Sequence, residues 1–183
     1  MAQYNGYVEV PHSSYDEWRA ATIGNGYNVD RLYGNQCWDY CTLLWWQYDL
    51  PLVTKPGGGG AADCWLVSRN INARGPFTSL TGIQNVKRGD ILVWNRGRYH
   101  SAGHIAIADE DYNPNQNYIK CLGQNQGRGA YYVAYVAEVY NNDFLGIFRN
   151  TEWESSPEPP TPAVIRKSKF PWPVSWHNWE NFK

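Results

Sequence analysis

The residue best suited to chemistry in this chain is Cys37, in the stretch YGNQCWDYC. A loop containing Gly and Asn ends there and an apolar run, TLLWWQY, follows. This pattern predicts a helix whose first turn holds Gln36, Cys37 and Trp38. The unpaired amides and the dipole of a helix N-terminus favour the thiolate, the form that attacks a carbonyl carbon. The alternative is a buried, unreactive thiol, because free cysteine is among the most buried residue types.

A reactive cysteine needs a base, and the chain has four histidines. Three of them, His12, His100 and His177, are predicted to lie at the surface. The fourth, His104, opens the segment HIAIA, which reads as a strand. In a strand His104, Ala106 and Ala108 share one face, so the histidine should sit on a face cleared by small residues. The isoleucines between them should pack inward. Imidazole titrates near neutral pH, so His104 is a candidate general base that could hold the thiolate as an ion pair.

The composition predicts one domain with a tail. The chain has 183 residues and a formal net charge of −1, so bulk electrostatics gives no reason to expect a nucleic-acid partner. It contains 10 Trp, 14 Tyr, 17 Gly and 11 Pro, which suits a loop-rich fold with short strands and an aromatic, sugar-stacking surface. The alternative is that most of these rings fill the core.

Cysteine spacing and apolar runs exclude several classes of protein. The four cysteines are widely spread, which is untypical of a disulfide scaffold, and no Cys-x-x-Cys pair indicates a zinc site. The N-terminus has neither the basic start nor the apolar core of a signal peptide. No apolar run approaches membrane-spanning length, so we expect no membrane insertion.

The elements that must position these residues are helices first and strands later. Ser14 and Glu17 form a capping signature that predicts a helix over 15–22, and further helices should begin at the Cys37 turn and near Ala62. From Lys87 onward, GDILVWN, HIAIADE, YIKCLGQN, YYVAYVAEVY and DFLGIFRN predict an antiparallel sheet. This order indicates an α+β fold with the N-terminal helices packed on the sheet.

The domain boundary is predicted near Thr151. Residues 1–150 would form the catalytic domain, 151–163 a Pro-rich linker and 164–183 an aromatic tail too short to fold alone. The tail could dock on a sugar surface or on a partner protein, fold back over the domain, or stay disordered.

Four ordered motifs, YGNQCWDY, KRGDILVWN, GHIAIA and CLGQNQG, resemble the CHAP family of cysteine, histidine-dependent amidohydrolases and peptidases, and the phage lysins within it above all. The resemblance spans roughly 26–149. It implies a papain-like fold, with Cys37 matching the nucleophile and His104 the base. The backbone N–H of Cys37 and the side chain of Gln36 would then stabilise the oxyanion.

One motif departs from the resemblance. Many of these lysins read Glu-Gln-Asn where this chain has Gly123, Gln124 and Asn125, so the usual acid is replaced by glycine. Strand alternation puts Gly123 and Asn125 on one face, which predicts Asn125 as the third member that orients His104. The alternative is that Gln124 and Asn125 are turn residues.

The loop before Cys37 offers oxygen atoms of the kind that calcium prefers. Candidate ligands are the side chains of Asn28, Asp30 and Asp39 and backbone carbonyls from around Leu32 and Gly34. Similar loops in CHAP lysins bind calcium. The alternative is that Asp39 only caps the helix as a first-turn acid. No organic cofactor is expected.

The resemblance implies a peptidoglycan hydrolase, a phage lysin-like cysteine amidase or endopeptidase. Its partner would be bacterial peptidoglycan, which the protein would reach from the host cytoplasm after release or as part of a virion. The C-terminal tail would then dock on the wall or on a phage or other wall-binding partner protein. Two other readings stay open: a non-catalytic wall-binding or virion structural protein, and a CHAP-type amidase that acts on a non-wall substrate. The sequence leaves the cut bond undetermined.

Overall fold

The computed structural model describes residues 1–52, 59–69, 75–98, 100–126 and 132–153. Within these ranges the α-helices are α1 (Tyr15–Thr22), α2 (Cys37–Trp46) and α3 (Ala61–Ser68). All three begin where the sequence predicts. None of them has the length and apolar content needed to cross a membrane.

The strands of the described chain form a short parallel pair and a six-stranded antiparallel sheet. They are β1 (Gln3–Asn5), β2 (Gly26–Asn28), β3 (Phe77–Leu80), β4 (Ile91–Trp94), β5 (His104–Ala108), β6 (Tyr118–Gly123), β7 (Tyr135–Tyr140) and β8 (Phe144–Asn150). The large sheet has the order β3-β8-β4-β5-β6-β7, and each neighbouring pair in it is antiparallel. The α+β class and the five predicted strands are confirmed.

Two strand pairings were not predicted. β2 lies inside a Gly- and Asn-rich segment that the sequence indicates as a loop, and it pairs in parallel with β1. The main-chain N–H and C=O of Tyr27 in β2 also bond the side chain of Gln124, at 2.7 and 2.9 Å. β3 pairs with β8. Both strands are held by partners distant in sequence, so a local pattern could not indicate them.

The core lies on both faces of the sheet. α2 is buried on nearly all sides from Asp39 to Trp45, as expected of a helix that is apolar all round. It packs on the face of β5 that carries Ile105 and Ile107, so the prediction that the isoleucines pack inward is confirmed. Ala106 belongs to a second apolar cluster with Leu92, Trp94 and Ile147.

β8 is the last strand of the described residues, yet it lies inside the sheet, between β3 and β4. The indole of Trp65, on α3, lies directly over Gly146 of β8, and a Cβ at that position would collide with the ring. Trp65 also contacts the ring of Phe148 at 5.2 Å between centroids. Gly146 therefore lets α3 approach the sheet closely.

The packed chain continues to Trp153, a little beyond the predicted boundary. The amide of Thr151 donates to Pro76 O at 2.8 Å, and Trp153 Nε1 donates to His12 O at 2.7 Å. The rest of the predicted linker and the tail over 164–183 lie outside the described residues.

Candidate active site

Cys37 is the first residue of α2, with Gln36 as the N-cap. It is partly exposed, whereas Cys41, Cys64 and Cys121 are buried. The backbone of Ile105 donates a hydrogen bond toward the Cys37 thiol. Because Ile105 directly follows His104, this contact brings the thiol to the beginning of β5.

The two candidate catalytic groups are both uncharged near neutral pH. Packing around the thiol raises the pKa of Cys37 to about 11, although the amides of Ile105, Trp38 and Cys37 itself lower it. Burial, followed by the neighbouring His100, lowers the pKa of His104 to about 3. Desolvation therefore outweighs the helix N-terminus, and the resting pair differs from the expected thiolate and imidazolium.

His104 does not lie on an open face. Only 2% of its surface is exposed, and all five residues of β5 are buried. Its ring stacks on His100 at 4.7 Å between centroids and contacts Trp94 at 5.7 Å. The expectation of a face cleared for substrate by Ala106 and Ala108 is wrong, because β5 is an interior strand covered on both sides.

The imidazole of His104 meets Gln126. His104 Nε2 lies 3.1 Å from Gln126 Oε1. The amide nitrogen of Gln126 donates to two carbonyls, Cys121 O and Tyr135 O, each at 2.7 Å. Carbonyls only accept, so the carboxamide has one orientation and its oxygen must accept from His104. The imidazole therefore carries its proton on Nε2, which leaves Nδ1 as the basic nitrogen.

Asn125 does not take the role predicted for it. Its side chain donates to Gln36 Oε1 at 2.7 Å rather than to His104. The physical reason is that β6 ends at Gly123 and the chain then turns, with Asn125 in the left-handed region at φ 49°. Strand alternation stops at that point. Asn is one of the few residues that adopt this conformation readily, and the alternative of turn residues is the one the structure favours.

The turn after β6 also fixes the residues before the nucleophile. Gln124 is fully buried, and its amide nitrogen donates to Gln36 O at 3.0 Å and to Tyr27 O. The Gln36 amide nitrogen donates to Tyr33 O at 2.6 Å, which leaves its second hydrogen available. Three consecutive side chains, Gln124, Asn125 and Gln126, thus hold the N-cap backbone, the N-cap side chain and the histidine.

The predicted calcium loop holds two carboxylates close together. Asp39 accepts from the amides of Val29 at 2.8 Å, Asp30 at 3.3 Å and Gln36 at 2.9 Å, so it does cap α2. Burial, with the neighbouring charge of Asp30, raises the pKa of Asp39 to about 7. Burial also raises the pKa of Asp30.

The same loop contains a buried acceptor, Asn28 Oδ1. Among the described residues, no donor makes a hydrogen bond to it. Leu32 is exposed and its amide donates to Asp30 Oδ1 at 2.7 Å, while Gly34 lies in the left-handed region at φ 75°. Across the described residues, no group of three or more His, Cys, Asp or Glu side chains is arranged to hold a metal ion.

A family model described as the CHAP domain matches residues 22–125, more than half of the chain. The chain belongs to the CHAP family. The matched range contains Cys37 and His104 and ends at Asn125.

Two curated relatives of this CHAP chain come from bacteriophages. It is 29% identical over 126 residues to a D-alanyl-L-alanine endopeptidase of Streptococcus phage B30, which covers 65% of the chain and 26% of the relative. It is 27% identical over 136 residues to the endolysin PlyTW of Staphylococcus phage Twort, covering 68% and 26%. The CHAP chain thus spans about a quarter of the length of each.

A solved structure, that of the wild-type endolysin LysIME-EF1, shares the fold. It superposes with a TM-score of 0.51 at 23% sequence identity, over 71% of the CHAP chain and 59% of the endolysin chain. At this identity the likeness concerns the fold alone.

Sequence reasoning missed the glutamines on either side of Asn125. Gln126 lies one residue beyond the position that strand alternation selected, and Gln124 was assigned only to a turn. The sequence feature that could have pointed to them is Gly123, because a glycine leaves space that the side chain of a neighbouring residue can fill. Buried amides on a turn have no periodic pattern, so their contacts could not be derived locally.

Proposed function

We propose that this chain is a peptidoglycan hydrolase that cleaves an amide bond of the bacterial cell wall with Cys37 as nucleophile. The family assignment and the two phage relatives support this proposal. The observation that carries it is the placement of the Cys37 thiol against the amide of Ile105, beside a His104 whose Nε2 is held by Gln126.

In the first step His104 acts as general base. Nδ1 takes the thiol proton as the sulfur of Cys37 attacks the amide carbon, because the pair starts neutral and no thiolate is stored. The negative oxygen that forms is met by the backbone N–H of Cys37 and by the second amide hydrogen of Gln36. Asn125 holds Gln36 for this task by bonding its oxygen.

In the second step His104 acts as general acid. The imidazolium gives its proton to the leaving amine, the C–N bond breaks and a thioester to Cys37 remains. Water, deprotonated by His104, then attacks the thioester and releases the carboxylic acid and the free thiol. Burial disfavours the imidazolium, so the charged state is short-lived and returns its proton readily.

We infer that the cut bond belongs to the peptide part of the wall. The support is that one relative is named a D-alanyl-L-alanine endopeptidase. Mass spectrometry of fragments released from purified streptococcal and staphylococcal walls would identify the new termini. Fragments cut next to the muramic acid would instead assign an amidase.

Paired variants test the nucleophile and the base. Cys37→Ala and His104→Ala should each lower the rate of wall lysis by roughly 10³-fold or more. The matched control for Cys37→Ala is Cys121→Ala, whose thiol lies in the second apolar cluster. His100→Ala removes a ring that stacks on His104 and lowers its pKa, so its effect should be milder than that of His104→Ala. Retained lysis in Cys37→Ala would contradict the role of Cys37 as nucleophile, and binding to walls without lysis by the unmodified chain would support the non-catalytic wall-binding alternative.

We propose that the loop before α2 binds calcium. The unpaired Asn28 oxygen and the two adjoining carboxylates whose pKa values are raised fit a hard cation. Asn28, Asp30 and Asp39, with the carbonyls of Leu32 and Gly34, would hold it. A bound ion would neutralise the carboxylates and fix the loop that presents Cys37.

We propose further that the protein acts at the wall after release from the host cell or as part of a virion, and that the tail docks on the wall or on a partner protein. The three tryptophans of the tail, Trp172, Trp176 and Trp179, are the contacts we assign to docking, because exposed indoles stack on sugars and anchor interfaces.

A further inference from the structure

We propose that Gln126 is the residue that positions His104 for the reaction, and that Gly123 belongs to the same device because it leaves the space for the Gln126 carboxamide. This inference rests on the proposed function for its role in turnover. The contacts themselves are independent of any substrate.

The first observation is that both the nitrogen and the oxygen of the Gln126 side chain are engaged in hydrogen bonds. It is only 2% exposed and makes three hydrogen bonds: one to His104 and two to main-chain carbonyls on β6 and β7. The two carbonyls belong to paired strands, so they are rigid anchors. A carboxamide held in this way cannot rotate to present its nitrogen to the imidazole without leaving two buried carbonyls unpaired.

The second observation concerns the fit at Gly123. A Cβ on residue 123 would lie 2.9 Å from Gln126 Oε1 and 3.1 Å from Ala106 Cβ. Ala106 belongs to interior strand β5 and cannot yield, so a larger residue would displace the carboxamide. The observed position of the Gln126 carboxamide therefore requires glycine at 123.

The consequence for chemistry is the choice of tautomer. With Gln126 Oε1 as acceptor, the Nε2–H form of His104 is stabilised and Nδ1 stays free to take the thiol proton. Without this acceptor the imidazole could carry its proton on either nitrogen and could turn about its side-chain bonds. Gln126 is thus a positioning residue, and its effect on the reaction passes through His104.

The test uses the full chain with Gln126→Ala, Gln126→Glu and Gly123→Ala, and Gln116→Ala as control. Gln116 is a partly buried glutamine whose side chain bonds only Tyr118 Oη, at 2.9 Å. Nitrogen-15 NMR of His104 reports the tautomer, and initial rates of wall lysis at several wall concentrations separate kcat from KM.

We expect a single Nε2–H tautomer in the unmodified chain and in Gln116→Ala, and a mixture in Gln126→Ala and Gly123→Ala. In Gln126→Ala and Gly123→Ala, kcat should fall roughly 10²-fold or more while KM stays nearly unchanged. Gln126→Glu keeps an acceptor for Nε2, so it should retain the Nε2–H tautomer and raise the pH at which His104 titrates, while the melting temperature falls because Cys121 O and Tyr135 O lose their donor. Asn125→Ala should lower the lysis rate without changing the tautomer, because it acts on Gln36.

A Gln126→Ala protein that keeps the single tautomer and the original kcat, with only a lowered melting temperature, would overturn the proposal. If Gln126→Ala fails to fold, Gly123→Ala tests the same proposal with a smaller change in side-chain volume. The NMR measurement needs no turnover, so it decides the role of Gln126 toward His104 even if Cys37→Ala retains lysis and the proposed function fails.

Discussion

At the scale of single residues, desolvation decides the state of the candidate catalytic pair. Cys37 has a pKa of about 11 and His104 of about 3, and the largest cause of each shift is burial. Both groups are therefore neutral near pH 7. Proton transfer from the thiol to the imidazole must then accompany nucleophilic attack. The substrate itself must help to lower the energy barrier to forming the charged groups.

The first prediction concerns alkylation of Cys37 by iodoacetamide. Only the thiolate reacts, so the rate should rise about tenfold per pH unit from pH 6 to pH 10. Mass spectrometry of the peptide that contains Cys37 measures the rate, with the Cys37→Ala protein as control for labelling elsewhere. A rate that is constant between pH 5 and pH 8 would indicate a stored thiolate and contradict the neutral pair.

The positions of Cys37 and His104 in the fold could be predicted from sequence because their local patterns are strong. A helix start and a strand start are both visible in a single stretch of chain. Gln126 could not be predicted, because its contact with His104 depends on where β6 ends and on the left-handed turn at Asn125. The pKa shifts of Cys37 and His104 could not be predicted either, because they depend on burial, which is a property of the folded chain.

At the scale of elements, the start of α2 is held by Asp39 as much as by its own backbone. The carboxylate accepts from three amides and is almost completely buried. Its hydrogen bonds connect the N-cap to the segment after β2, so they join the helix to the loop that precedes Cys37. Removing it would leave buried donors without acceptors.

The second prediction is that Asp39→Ala lowers the free energy of unfolding by about 2–4 kcal/mol. The matched control is Glu17→Ala, at the same N3 position of α1, where the carboxylate accepts from the exposed Ser13 N and Oγ. That change should cost about 0.5–1 kcal/mol. Urea denaturation measures both, and equal losses would mean that Asp39 is an ordinary surface cap.

The third prediction concerns calcium and its dependence on pH. The pKa of Asp39 is raised to about 7 in the folded chain from an ordinary value of 3.8, so its contribution to stability is present below pH 4 and lost as pH rises through 7. Calcium binds the ionised form. The rise in melting temperature on adding calcium should therefore be larger at pH 8 than at pH 5.5.

At a calcium concentration 100 times Kd the gain is about 2.7 kcal/mol, or roughly 5–10 °C for a domain of this size. Asp30→Asn should reduce the gain, while Asp111→Asn, an exposed aspartate that accepts from Arg88 N, should preserve it. The titration of His104 changes stability with pH in the opposite direction. Comparing the melting temperatures with and without calcium at the same pH removes that contribution. A melting temperature indifferent to calcium and to chelator would rule the site out.

Elements with strong local signals were predicted well and tertiary pairings were not. The Ser14 cap fixes α1, and the alternating, aromatic-rich runs indicate the five strands from Ile91 onward. β2 and β3 form because distant partners bond them, Gln124 in one case and β8 in the other. Nothing in the residues of either strand specifies those partners.

At the scale of the whole molecule, the fourth prediction concerns the tail. Truncation after Pro162 should lower the amount of protein that purified walls pull down and leave the melting temperature unchanged, because indoles exposed on a tail stack on sugars. A lowered melting temperature would instead indicate that the tail packs on the domain. A change in neither quantity would contradict docking.

Full-length variants separate aromatic from electrostatic docking. The aromatic variant combines Trp172→Ala, Trp176→Ala and Trp179→Ala, and its control combines Arg166→Ala, Lys167→Ala and Lys169→Ala. Only the aromatic variant should behave like the truncation. Equal losses in both would assign part of the binding to charge, which salt titration would then reveal.

The position of β8 has a consequence for building chimeric CHAP domains. A segment swap limited to residues 22–125 would leave the recipient's own β8 to form the strand between an imported β3 and β4. The imported Trp65 would then need a glycine beneath it on a strand that comes from the other parent. The smallest exchangeable segment is therefore set by the sheet and not by the range that the family model matches, and crossover points belong after Trp153.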